Sequence, residues 1–224
     1  MTLQKKLFAL TLPLVLLSLG SCTTTTSSLE EAAGNEQWLK PSPTLRAQIE
    51  DTAKRLPWTH GMERIDAISW FARVGEPAYP TLLAMVQDPR HDVAGAALAA
   101  LGATRDSRLV DSLHALPLPS GADKTDLVLE RARTLLRLGD WQAVPQLIGG
   151  LSDERLITRA LCAQALWEST HERFGYDPRA EGEERETSIQ AWKAWWQERE
   201  HDPLLSDTKP GAAAPTPTTS RTND

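Results

Sequence analysis

The chain has 224 residues, 41% of them hydrophobic, enough for one domain with a real core, and its formal charge is −6. Removing the first 21 residues takes away Lys5 and Lys6 and no acid, so the charge falls to −8. Nothing then supplies the basic surface that phosphate neutralisation requires, which argues against a nucleic-acid partner.

In chain order the first segment runs from Lys5 and Lys6 through the apolar stretch Leu7 to Leu19 and exits at Leu19-Gly20-Ser21-Cys22. Charge, length and small-residue exit together read as a secretory signal over 1–21. The stretch is shorter than the roughly 20 residues that span a bilayer, and Pro13 interrupts it. Leu-Gly-Ser-Cys resembles the lipobox of bacterial lipoproteins. That resemblance implies that Cys22 becomes the acylated N-terminus and holds the protein on the membrane, and Thr23 in place of Asp points to the outer membrane, facing the periplasm. Cys162 is then the only thiol left, so no internal disulfide forms and stability must come from packing.

Residues 22–43 read as a flexible tether, with Trp38 and Leu39 as candidates for local docking, and 201–224 as a Pro/Thr/Ala-rich disordered tail. Between them, 44–200 reads as helix throughout, with no alternating strand pattern. Ser42-Pro43 starts a helix with Leu45, Ile49, Ala53 and Leu56 on one face, and Pro57 stops it. Met62 to Val74 follows, with Ile65, Ile68 and Ala72 inward and Gly75 closing it. Pro77 to Gln87 comes next, then a helix capped by Asp88-Pro89 that carries Val93, Ala96, Ala97, Ala100 and Leu101 and closes at Gly102. The next pairs are Asp106 to Leu116 with Lys124 to Leu138, and Trp141 to Leu151 with Asp153 to Trp167. A last helix runs from about Glu183 to Glu200.

One block occurs twice, 65 residues apart. Pro80, Leu82, Asp88, Ala100 and Leu101 return as Pro145, Leu147, Asp153, Ala165 and Leu166. Gly75, Gly102 and Gly139 are spaced by 27 and 37 residues, the longer gap containing the insertion Leu116 to Asp123. Periods near 30 with two helices per unit are the signature of a helical repeat array. The run Gly75-x4-Pro80-x-Leu82-Leu83-x4-Asp88-x4-Val93-x2-Ala96-Ala97-x2-Ala100-Leu101-Gly102 is similar to the short bacterial HEAT repeat of phycobilisome-lyase-like type. The resemblance covers about Thr44 to Trp167, and Arg159 falls on the family's Val-Arg position. It implies an all-α fold: a short right-handed α-solenoid of HEAT-like hairpins with a C-terminal capping helix.

The remaining constellations read structurally first. Trp192, Trp195 and Trp196 share the last helix with Ile189; an aromatic platform is one reading, and a docked amphipathic cap is favoured by the periodic spacing. Tyr176-Asp177-Pro178 reads as a turn, and the acidic run Glu181 to Glu186 as a solvated helix start rather than a cation site. His60, His91, His114, His171 and His201 are scattered, and no zinc spacing, nucleophile elbow or phosphate-binding loop appears in the sequence. Cys162 stands where Ala97 stands one block earlier, which makes it a packing residue.

The expectation is a lipid-anchored envelope scaffold that binds a protein or peptide, without catalysis, cofactor or metal. Its expected contact surface is an exposed stripe on the second helices: Arg131, Arg133, Arg137, Arg155 and Arg159. One alternative is an accessory or lyase-like factor holding a small ligand or glycan, which a pocket beside Trp192 or Trp195 would favour. Another is a structural linker from membrane to peptidoglycan.

Overall fold

Ser42 opens the first helix: its Oγ accepts the Leu45 N–H at 3.3 Å, and Pro43 takes the first helical position, where its missing N–H costs nothing. The computed structural model describes residues 38–118, 124–202 and 205. The expected signal, Cys22, the tether up to 37, positions 119–123 of the insertion and most of the tail lie outside the described residues.

Among the described residues the protein is all-helical. The helices are α1 (Pro43–Arg55), α2 (Gly61–Val74), α3 (Tyr79–Met85), α4 (His91–Thr104), α5 (Leu109–Ala115), α6 (Lys124–Arg137), α7 (Val144–Gly150), α8 (Leu156–Thr170) and α9 (Gly182–Gln197). One-turn 3-10 segments lead into α3 and α7. None of these helices is long and apolar enough to cross a membrane.

The even-numbered helices pack in sequence, α2 on α4, α4 on α6 and α6 on α8, while α3 backs α4, α5 backs α6 and α7 backs both α6 and α8. Alanine makes the close approach possible: Ala94, Ala97 and Ala100 of α4 are fully buried, and so is Ala132 of α6. Their seam is pinned by Thr134, whose hydroxyl donates to the Leu98 carbonyl at 3.0 Å. Leucines fill the rest; Leu82, Leu98, Leu101, Leu113, Leu147 and Leu166 are closed to solvent, each contributing roughly 1.5–3 kcal/mol of burial. The core also reaches back to Trp38, 5% exposed, whose ring meets Tyr79 edge-on at 5.0 Å under the Arg108 guanidinium.

Several local expectations are corrected. Gly102 does not end its helix: α4 continues to Thr104 and closes on Arg105 in the left-handed region, while a Cβ at 102 would come within 3.3 Å of the Thr134 Cα. The glycine is there for helix contact. Asp88 is not the cap of α4, which starts at His91; its Oδ1 takes the Arg90 N–H at 2.9 Å and its carboxylate clasps the Arg90 guanidinium. Asp153 and Arg155 repeat that clasp, as do Asp106 and Arg108. Ile65, expected inside, is 51% exposed, and Met62 and Trp58 are exposed as well, whereas α2 packs on α4 and buries Phe71.

The last helix buries Trp192 and Trp196, as a docked face should, but it packs mainly on α7. The flank of α8 is therefore left to the connection over 171–181. Two residues of that connection, His171 and Phe174, hold positive φ values of 62° and 47°, a strained backbone for side chains of that size. Phe174 keeps it because its ring sits edge-on to Trp192 at 4.8 Å.

Candidate functional site

Two concavities flank α8. The first crosses the starts of α4, α6 and α8 and encloses 340 Å³. Asp92, Asp126 and Glu130 line it together with Arg133 and Arg155, and the apolar floor comes from Leu127, Leu129 and Leu161. Its charges are matched in place. Arg155 meets Asp126 as well as Asp153, Asp92 takes Arg64 at 2.8 Å, and Arg133 pairs with Glu130 one turn earlier on α6. Ile157 rises from this lining 65% exposed.

The five arginines expected to form an exposed stripe do not form one. Only Arg155 is exposed; Arg133 and Arg159 are each 8% accessible, and Arg131 and Arg137 are half-buried. Each has found acceptors. Arg131 donates to the Leu116 carbonyl at 3.1 Å, and Arg137 reaches across to Glu168 of α8 at 3.1 Å. Arg159 donates to the carbonyls of Asp153, Glu154 and Pro178, all at 2.8 Å, and so ties the connection after α8 to the turn before it. A guanidinium has five donors and a long apolar stem, so on a packed helix layer it spans neighbouring segments instead of facing water. Burial also pulls the Arg133 pKa down from the ordinary arginine value.

Beside that guanidinium lies Cys162, closed to solvent, its thiol pushed up to about 11 by burial against the opposing pull of Arg133. A thiol in that state is neutral at physiological pH and is no nucleophile. His114 pairs with Asp140 at 2.7 Å at the end of the middle helix pair, and among the described residues no group of three or more His, Cys, Asp or Glu is placed to hold a metal ion. Asp177 accepts the Arg179 N–H at 2.8 Å, the turn its sequence suggested.

The second concavity, 210 Å³, lies between α8 and the 171–181 connection, with Trp192 of α9 as one wall. Ala160 and Ala163 leave the space, and Trp167 and Tyr176 line it with aromatic surface. Tyr176 is held by its own hydroxyl, which donates to the Leu151 carbonyl at 2.6 Å. At the rim the Arg173 guanidinium lies 4.3 Å over the Trp167 ring. Trp192 is only 1% exposed, and its indole N–H has no acceptor among the described residues. The sequence pointed to Trp192 but missed Trp167 and Arg173. Their only signal was that Trp167 replaces the glycine found one block earlier, at 102.

No protein-family model matches the chain, and no curated protein matches it significantly.

Proposed function

We propose that this protein is a lipid-anchored envelope scaffold, held by acylated Cys22 at the outer membrane and facing the periplasm. In this reading its helices form a short right-handed stack of HEAT-type hairpins closed by α9, and it binds a protein or peptide partner without catalysis or cofactor. The observation that carries the reading is the groove across α4, α6 and α8. It is apolar at the floor, bordered by charges already paired within the chain, and it presents the uncovered Ile157. Such a surface binds through an apolar anchor inside a polar rim. The internal pairing of Arg133 and Arg159 moves the contact from the arginine stripe to Ile157 and the exposed Arg155.

The test is a photo-crosslinker placed at Leu161 in the native host. One discrete adduct is expected, lost in Ile157→Asp while fatty-acid labelling of Cys22 persists; Cys22→Ser should lose the label. An adduct pattern indifferent to Ile157→Asp rejects the groove.

A second reading, an accessory factor holding a small ligand, is favoured by one observation: the aromatic cavity of 210 Å³ beside Trp192.

A further inference from the structure

We propose that the cavity between α8 and the 171–181 connection binds a small carboxylate bearing a compact apolar or aromatic group, with the apolar part against Trp167 and Trp192 and the carboxylate on Arg173. The inference rests on the ligand-holding reading and gives it a ligand class; it is independent of the groove at Ile157.

Size is the first constraint. At 210 Å³ the cavity has room for roughly seven waters' worth of liquid, below the roughly 300 Å³ where sites for drug-sized molecules begin. Its walls are mainly Ala160, Ala163, Pro178 and aromatic faces, with the Gln164 amide already bonded to Glu168 at 2.7 Å, so the part of the ligand that enters is apolar.

Charge is the second. Arg131, Arg133, Arg137, Arg155 and Arg159 are all engaged by carboxylates or carbonyls. The Arg173 guanidinium has no ion pair or hydrogen bond among the described residues; its partner is the Trp167 ring, 4.3 Å away. Stacking uses the face of a guanidinium and leaves its in-plane N–H donors free, the fork that takes a carboxylate through two parallel hydrogen bonds. Glu172 also lines the cavity and opposes an anion, while the charges of Arg159 and Arg185 bear on the neighbouring Tyr176.

The third is an unmet donor. The Trp192 indole N–H is shut off from water without an acceptor, a state that is costly to keep.

The experiment uses the full chain carrying Cys22→Ser, titrated by calorimetry and tryptophan fluorescence with phenylpropionate, phenylpropionamide and N-acetylphenylalanine. Saturable one-site binding of the carboxylates is expected, with the amide about tenfold weaker, the weight of one charge-assisted contact at a rim. Arg173→Gln, an exposed substitution that leaves the core alone, should erase the difference between acid and amide. Ala163→Leu should remove binding of all three probes with its circular dichroism unchanged. Tighter binding of N-acetylphenylalanine identifies a chain-terminal carboxylate as the source, and tighter binding of phenylpropionate a free small acid. No saturation by either acid, or equal binding of acid and amide that ignores Arg173→Gln, overturns the assignment. Crosslinking at Leu161 would survive that failure, so the scaffold reading falls or stands separately.

Discussion

The block over 80–101 and the block over 145–166 share a set of residues, and the apolar ones among them lie at the same depth. Pro80 and Pro145 sit in the first turn of α3 and α7, and Leu82 and Leu147, Ala100 and Ala165, and Leu101 and Leu166 are all closed to solvent. They differ where their neighbours differ. Met85 and Ala97 in the first block become Gly150 and Cys162 in the second, so bulk has moved from the first helix of the pair to the second. The exchange is obligatory in place, since a Cβ on Gly150 would lie 2.5 Å from the Cys162 Sγ and 3.1 Å from Leu129. Gly102 lies under α6, whereas its counterpart Trp167 looks into a cavity, because α9 has docked on α7 and left that flank of α8 to an irregular segment. The shared apolar residues thus keep their core depth in both blocks, and the next helix sets the volume and exposure at the remaining positions.

Matched truncation probes the shared part of the blocks. Leu82→Ala and Leu147→Ala should each lower the unfolding free energy by about 2–5 kcal/mol, and by similar amounts, in urea titrations. A difference of more than about 2 kcal/mol between the two losses would end the equivalence. The next effect belongs to Cys162. Its thiol is raised by burial from 9.0 to about 11, so the stability it confers is complete below 9.0 and is lost as pH rises through about 11. Against Cys162→Ala, which restores the residue of the first block, the wild type should lose roughly 2–3 kcal/mol across that window.

Gly150→Ala isolates the exchanged volume. The new Cβ meets Sγ while the helix gains propensity, so a net loss of about 1–2 kcal/mol is expected, and Cys162→Ala in the same chain should recover most of it. Additive effects in that double-mutant cycle would separate the two positions. The smallest effect concerns the clasps. Arg155 holds Asp126 on α6 as well as Asp153, whereas Arg90 holds Asp88 within its own turn. Arg155→Ala should therefore lower Tm more than Arg90→Ala, and raised salt should remove the difference.

Helix order and, outside α2, most core faces were legible in the residues because a 3.6-residue period, Ser42-Pro43 and the glycines at 75 and 139 are local signals. Cys162 as a packing residue was legible from the 65-residue register. The arginine stripe was not, since Glu130, Glu168 and the Pro178 carbonyl reach those guanidiniums from other turns and other segments. The cavity was illegible for a related reason: its walls come from α8, the 171–181 connection and α9 together.

By itself, then, the chain's order of residues determined an all-helical protein with a duplicated block, its buried leucines and alanines, and a thiol inside. Those properties depend on periodicity and on contacts between positions a few residues apart. Tertiary structure alone decided that Gly102 is a contact and not a helix end, that Trp58, Met62 and Ile65 stay open, and that Trp167 and Arg173 line a cavity. Each of these depends on which helix comes to lie alongside, and a side chain carries no record of a neighbour tens of residues away.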